Sequence, residues 1–326
     1  MNGQRDMEHW DDAPSFLSSD TVTANLALTE DRQCTMAQAR LCEISALADE
    51  AVSLADTWTE NGMCLSEILS AVAAAYPSLC PAEKKGTLAC DASYLSAMSE
   101  FSADIDRAAF ADYFRMRFGC GAGISVGALL SEKPASALSI SYVKNAYADE
   151  AYDVFSQDFE KTAPLYVSTL REAVDKVRQG EAGYCLLPLE EAGGLRSYAA
   201  ETLIYRYDLK ITAVTPVFGY DGTADMKYAL ISAVFHPTKT ATDDDMYLEI
   251  RCPKDTTALS DLIGTARIYG IETYRIGTSS FEDSGDRQVF HTIVFNDTKN
   301  KLPSFWWWLF MFLPDFTPVG IYKNLE

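Results

Sequence analysis

The chain has 326 residues, 48% hydrophobic and 23% charged, enough apolar material for two or three globular cores. Its formal net charge of -20 repels phosphate backbones and anionic bilayers, which sets general nucleic-acid and membrane-surface binding aside. Eight cysteines without a Cys-x-x-Cys pair, and three scattered histidines, offer no metal-ligand spacing; the thiols are expected to be reduced, in a cytoplasmic protein with no metal and no cofactor. Met1 to Pro14 is polar and acidic, unlike a secretory leader. Phe305 to Leu313 is apolar throughout but far short of the roughly 20 residues that span a bilayer, so it is expected to be buried in protein.

In chain order, the first stretch is helical. Leu41, Ile44, Leu47, Ala51, Leu54 and Trp58 recur on one face. A second stripe, Leu65, Ile68, Leu69, Val72 and Tyr76, is expected to stop at Pro77. Two more helices are expected over 91–101 and 105–118, the last closed by Gly119, followed by a glycine- and serine-rich linker to Pro134.

Strands and helices then alternate. Leu138-Ser-Ile-Ser-Tyr-Val143, 164–167, the continuous apolar run Gly183-Tyr-Cys-Leu-Leu-Pro188, 209–214 and 228–232 read as strands; 148–159, 170–179 and 195–206 read as helices on both faces of the sheet. After the charged linker 238–245 the order is strand 246–251, helix 257–269, strands 271–280 and 289–296 across an acidic turn, helix 302–313 and strand 317–322. That is βαββαβ, a ferredoxin-like sandwich.

Residues 138–326 resemble the prephenate dehydratases, whose catalytic part is followed by an ACT regulatory domain. Ser168-Thr-Leu-Arg-Glu-Ala-Val-Asp-Lys-Val-Arg-Gln-Gly-Glu-Ala-Gly-Tyr-Cys-Leu-Leu-Pro-Leu-Glu190 is similar to that family's helix, turn and strand ending in Pro-x-Glu-Asn-Ser, and Met226-Lys227-Tyr228 falls at its Thr-Arg-Phe triplet. Ser141 to Ala151 resembles its opening strand and helix, and Val319-Gly-Ile-Tyr322 its closing Gly-Ser-Tyr strand. The resemblance implies three parts: a helical N-terminal domain and linker (1–135), a shortened periplasmic-binding-protein-like α/β lobe (136–240) and an ACT domain (241–326).

It also implies where the chemistry lies. Lys227 and Glu190 are the candidate catalytic residues, but Met226 lacks the threonine hydroxyl and Lys227 lacks the bidentate fork of arginine. Glu191-Ala192 replaces Asn-Ser and puts a charge beside an anionic substrate. Read from the strand pattern alone, Glu190 and Glu191 form a solvated loop and Lys227 sits at a sheet edge; the segment between Val214 and Met226 is too short for a second lobe, and no cleft is expected. The family's Gly-Ala-Leu ligand loop corresponds to Thr257-Ala258-Leu259, where Thr257 crowds the approach to a ligand, with Asp255 and Thr256 beside it; Thr278 falls in the second ligand motif.

The reading reached is a prephenate-dehydratase-like protein, non-catalytic, serving amino-acid sensing or assembly in aromatic amino-acid metabolism, with a homodimer through the ACT part. The second reading is an active prephenate dehydratase making phenylpyruvate toward L-phenylalanine, fused to a chorismate mutase-like helical part, although Arg32, Arg40, Lys84 and Lys85 lack that enzyme's spacing. The third is a transcriptional regulator with a helix-turn-helix over 105–119. Residues 1–135 carry nine Lys/Arg against twenty Asp/Glu, net −11, which opposes DNA.

Overall fold

The computed structural model describes residues 19–79, 104–119, 139–157, 159, 161–191, 193–218, 224–235, 246–254, 259–283, 286–298, 301–313 and 315–325. Helices α1 (Ser19–Glu60) and α2 (Leu65–Leu79), with α3 over 104–114 running into a π-helical turn at Arg115–Gly119, form the N-terminal part. Helix α2 passes through Pro77 rather than stopping there: in the last turn the proline forgoes only its one bond to the Ala73 carbonyl, and the helix ends two residues later. The helix expected over 91–101 and the linker to Pro134 lie outside the described residues.

The α/β part holds β1 (Ser139–Val143), α4 (Ala146–Ser156), β2 (Ala163–Val167), α5 (Leu170–Arg178), β3 (Tyr184–Glu191), β4 (Leu195–Arg196), α6 (Tyr198–Arg206), β5 (Lys210–Phe218) and β6 (Ala224–Ser232). Thr169 caps α5, its hydroxyl accepting from the Glu172 amide at 3.1 Å while the Glu172 carboxylate accepts from the Ser168 amide at 2.9 Å. Helices cover both faces, as the sequence implied: α5 and α6 pack on one core with Leu187, Ile211 and Ile231, and α4 on the other with Tyr142, Leu186 and Leu230. The two-residue β4 is additional. Gly193 and Gly194, both at positive φ (86° and 76°), turn the chain from β3 into it.

The last part runs β7 (Met246–Pro253), α7 (Leu259–Ile268), β8 (Glu272–Asp283), β9 (Asp286–Asp297), α8 (Leu302–Phe312) and β10 (Thr317–Tyr322), so the βαββαβ order holds. Strands β8 and β9 run further into the acidic turn than expected, pairing as far as Asp283 and Asp286.

Both strand-bearing parts share one sheet, ordered β2-β1-β3-β6-β5-β10-β7-β9-β8. The seam is the parallel approach of β10 to β5 at Gly320 and Ile211, where a glycine is required: a Cβ there would lie 2.8 Å from the Ile211 Cβ. The tail continues the seam, with the Val214 amide donating to the Lys323 carbonyl (3.1 Å) and the Leu325 amide to Val214 (2.7 Å).

The all-apolar α8 is covered on two sides within the chain. Its Phe305 meets Phe295 of the sheet with ring centres 5.1 Å apart; Trp307 meets Phe114 at 6.0 Å and Phe118 at 6.5 Å; Phe312 meets Tyr76 at 5.5 Å. Trp306, Trp307 and Trp308 are all buried, and the Ser304 hydroxyl donates to Asp112 at 2.7 Å. The N-terminal helices are therefore the second cover, and the apolar surface of α8 no longer argues for a homodimer. The Phe110–Phe114–Phe118 face of the segment read as a helix-turn-helix is spent on this packing. Among the described residues, no helix is long and apolar enough to cross a membrane, and Cys42, Cys64 and Cys185 are in no disulfide.

Candidate functional site

Two of the residues singled out in the sequence meet. Strand β3 slips register against β6 between Pro188 and Glu190, and this sets Glu190 opposite Lys227. Lys227 Nζ lies 3.0 Å from Glu190 Oε2, an opposite-charge cross-strand pair. The hairpin into β4 sets Glu190 opposite Arg196 as well, Nε to Oε1 4.0 Å. From the far side of the sheet Arg275 on β8 reaches back, its Nη1 donating to Glu190 Oε1 at 2.9 Å and to the Gly194 carbonyl at 3.4 Å.

Glu190 is thus buried and held by two close cations, not part of a solvated loop; its neighbour Glu191 points to solvent, as alternation along a strand requires. Lys227 lies on a strand between β3 and β5 rather than at an edge, because β6 folds back into the middle of the sheet. Burial alone would lower the Lys227 ammonium, but its hydrogen bond to Glu190 and that residue's charge outweigh this and the net direction is up.

These groups open on a cleft of about 490 Å³ lined by Glu190, Glu191, Gly194, Met226, Lys227, Tyr274 and Arg275. The expectation that a missing second lobe leaves no cleft is overturned: β8 of the βαββαβ part supplies the opposite wall. Arg275 and Tyr274 were not singled out in the sequence; Arg275 as the one basic residue of β8 was the available signal.

Behind the cleft runs a buried pair. Arg196 Nη2 donates to Glu249 Oε2 at 2.5 Å, with side chains 9% and 1% exposed, and the Tyr322 hydroxyl donates to the same oxygen at 3.1 Å. Removing either charge would strand the other in a low dielectric. Burial, then the charge of Glu249, pushes the Tyr322 hydroxyl well up. This pair ties β4 to β7 and β10 and so fixes the cleft walls.

Of the other candidate ligand residues, Asp255, Thr256, Thr257 and Ala258 lie outside the described residues. Leu259 begins α7 half-buried, packed on the core under α8. Thr278 is exposed, within 3.2 Å of His291 Nδ1, and lines a separate small cavity with Arg275. The site residues named in the sequence are therefore not one cluster: Glu190, Glu191, Met226 and Lys227 share the large cleft, Thr278 lies in the small cavity and Leu259 is elsewhere. Among the described residues no group of histidine, cysteine or carboxylate side chains has the makings of a metal site.

No family model and no curated protein matches this chain. Solved structures do. A prephenate dehydratase from Streptococcus mutans is similar at 15% identity and TM-score 0.47, over 58% of this chain and 100% of that one. A prephenate dehydratase from Arthrobacter aurescens, solved in complex with L-Phe, is similar at 12% identity and TM-score 0.42, over 57% and 90%. A chain described as a quorum-quenching acylase is similar at 19% identity and TM-score 0.40, over 57% and 95%.

Proposed function

We propose that this chain is a non-catalytic, prephenate-dehydratase-like protein whose βαββαβ part is an ACT regulatory domain, and that its large cleft binds an amino acid. The observation that carries the reading is the shared carboxylate: Glu190, which the sequence resemblance likens to the glutamate of a dehydratase's Pro-x-Glu motif, is occupied by both Lys227 and Arg275. Dehydration with loss of carbon dioxide needs a group that delivers a proton to the leaving hydroxyl. Among its described lining residues the cleft has no histidine, cysteine, serine or threonine; the proton-bearing groups are the Tyr274 hydroxyl and the Lys227 ammonium, and the ion pair with Glu190 raises the Lys227 pKa and makes it a poor proton donor.

The same groups suit an amino acid. Lys227 and the remaining donors of Arg275 take a carboxylate, Glu191 at the mouth takes an ammonium, and Met226 and Tyr274 offer apolar area for a side chain. The volume lies within the roughly 300–1,000 Å³ usual for small-ligand pockets. A homodimer, if the cytoplasmic protein forms one, uses a surface other than α8.

The direct test is incubation of the full chain with prephenate while following phenylpyruvate. No turnover is expected; turnover in the ordinary enzyme range of about 1–10³ per second would establish the active dehydratase instead.

A further inference from the structure

A second cavity, of about 170 Å³, lies between α6 and the β8–β9 pair, lined by Arg196, Glu201, Arg275, Thr278, Ser279 and Thr292 with Gly277 at its floor. It is small: at roughly 30 Å³ for a water's share of liquid it has room for about six such groups. It shares Arg275 with the large cleft and, among the described residues, no other side chain.

The lining is built for an acceptor. Arg196 has only 9% of its side chain exposed, and Nη2 is spent on Glu249, while Nε and Nη1 are buried without a hydrogen-bond partner. The buried Ser279 hydroxyl is likewise unpartnered. Buried polar groups without partners are costly and uncommon, so a cavity whose spare atoms can donate calls for an oxygen-bearing guest. Charge narrows the choice. Arg196 is already paired with Glu249 and Arg275 with Glu190, so the cavity holds spare N–H donors rather than an excess of positive charge, and a guest of no more than one negative charge suits it.

We infer that this cavity binds a small monovalent oxyanion, such as a short carboxylate or dihydrogen phosphate, through Arg196, Arg275 and Ser279. Glu201 stands as the group that limits affinity by like-charge repulsion. The guest draws on the same Arg275 that holds Glu190, so occupancy here and occupancy of the large cleft are linked, and the linkage is reciprocal.

The test is calorimetric titration of the full chain with sodium phosphate and, separately, sodium acetate at pH 6, ionic strength held constant with sodium chloride. Saturable binding of at least one is expected, and the tighter of the two tells a tetrahedral from a planar guest. Gly277→Val, which adds bulk at a position where a Cβ meets only the Thr292 carbonyl at an ordinary 3.9 Å, should weaken binding by about tenfold or more. Ser279→Ala should weaken it and Glu201→Gln should strengthen it, which keeps the test alive if the valine variant misfolds. Silence of both anions, or binding unmoved by the serine and glutamate variants, would overturn the site and would leave the large cleft untouched.

Discussion

Gly320 on β10 lies against Ile211 on β5 so closely that any side chain would intrude: a Cβ would sit 2.8 Å from the Ile211 Cβ and 2.9 Å from the Tyr322 ring. Among the described residues the two halves of the sheet join at this parallel seam and its tail. Gly320→Ala is expected to force β10 outward and cost about 1–3 kcal/mol, in the range of overpacked cores. Urea unfolding of the variant against the parent measures it, and an unchanged midpoint would mean that the seam yields freely.

The burial of α8 under the N-terminal helices gives a second prediction. Trp307→Ala removes the ring that Phe114 and Phe118 pack on, and large aromatic truncations in cores cost about 3–5 kcal/mol. Proteolysis is expected to attack α1 to α3 first while the sheet core survives, with the molecular mass by light scattering unchanged. A halved mass would restore the dimer as the cover of α8.

Glu201 supplies a pH dependence. Burial raises its carboxyl above the usual carboxylate range, with Arg196 opposing. A carboxyl with a raised folded-state pKa binds protons more readily folded than unfolded, so stability falls as pH rises through the window from the ordinary value of 4.5 upward. Glu201→Gln should therefore be more stable than the parent at neutral pH, and the difference should shrink as pH falls toward the unfolded-state value. Denaturant midpoints at pH 4.5 to 8 test the sign.

Most elements were legible because their periodicity and punctuation agree. The apolar run into Pro188, the glycines after α5 and α7 and the alternation in β1 are local signals that burial on the sheet reinforces. What joined the parts was not legible. The α8 sequence shows that it needs two covers but not which, since a second copy and the Phe110–Phe118 face satisfy the same apolar demand. The cleft was missed for a related reason. Glu190 and Lys227 were visible as residues, but their pairing depends on a register slip in β3, and Arg275 comes from 85 residues away on another strand.

The Glu190 cluster itself gives a further prediction. Lys227→Met leaves Glu190 with Arg275 and a distant Arg196, and hydrogen bonds to charged groups contribute about 1.5–3 kcal/mol, discounted here because Lys227 is part-exposed. A loss of about 1 kcal/mol by chemical unfolding is expected, with the fold intact by circular dichroism. A much larger loss would make the cluster a structural keystone rather than a ligand platform.

The most direct test of the account is calorimetric titration of L-phenylalanine, L-tyrosine and L-tryptophan into the full chain and into its Lys227→Met variant. Saturable one-site binding of at least one of them to the parent is expected, weakened by about tenfold or more in the variant through loss of the carboxylate's cation. Absence of binding by all three, or equal affinity in parent and variant, would contradict an amino-acid site at Glu190, Lys227 and Arg275.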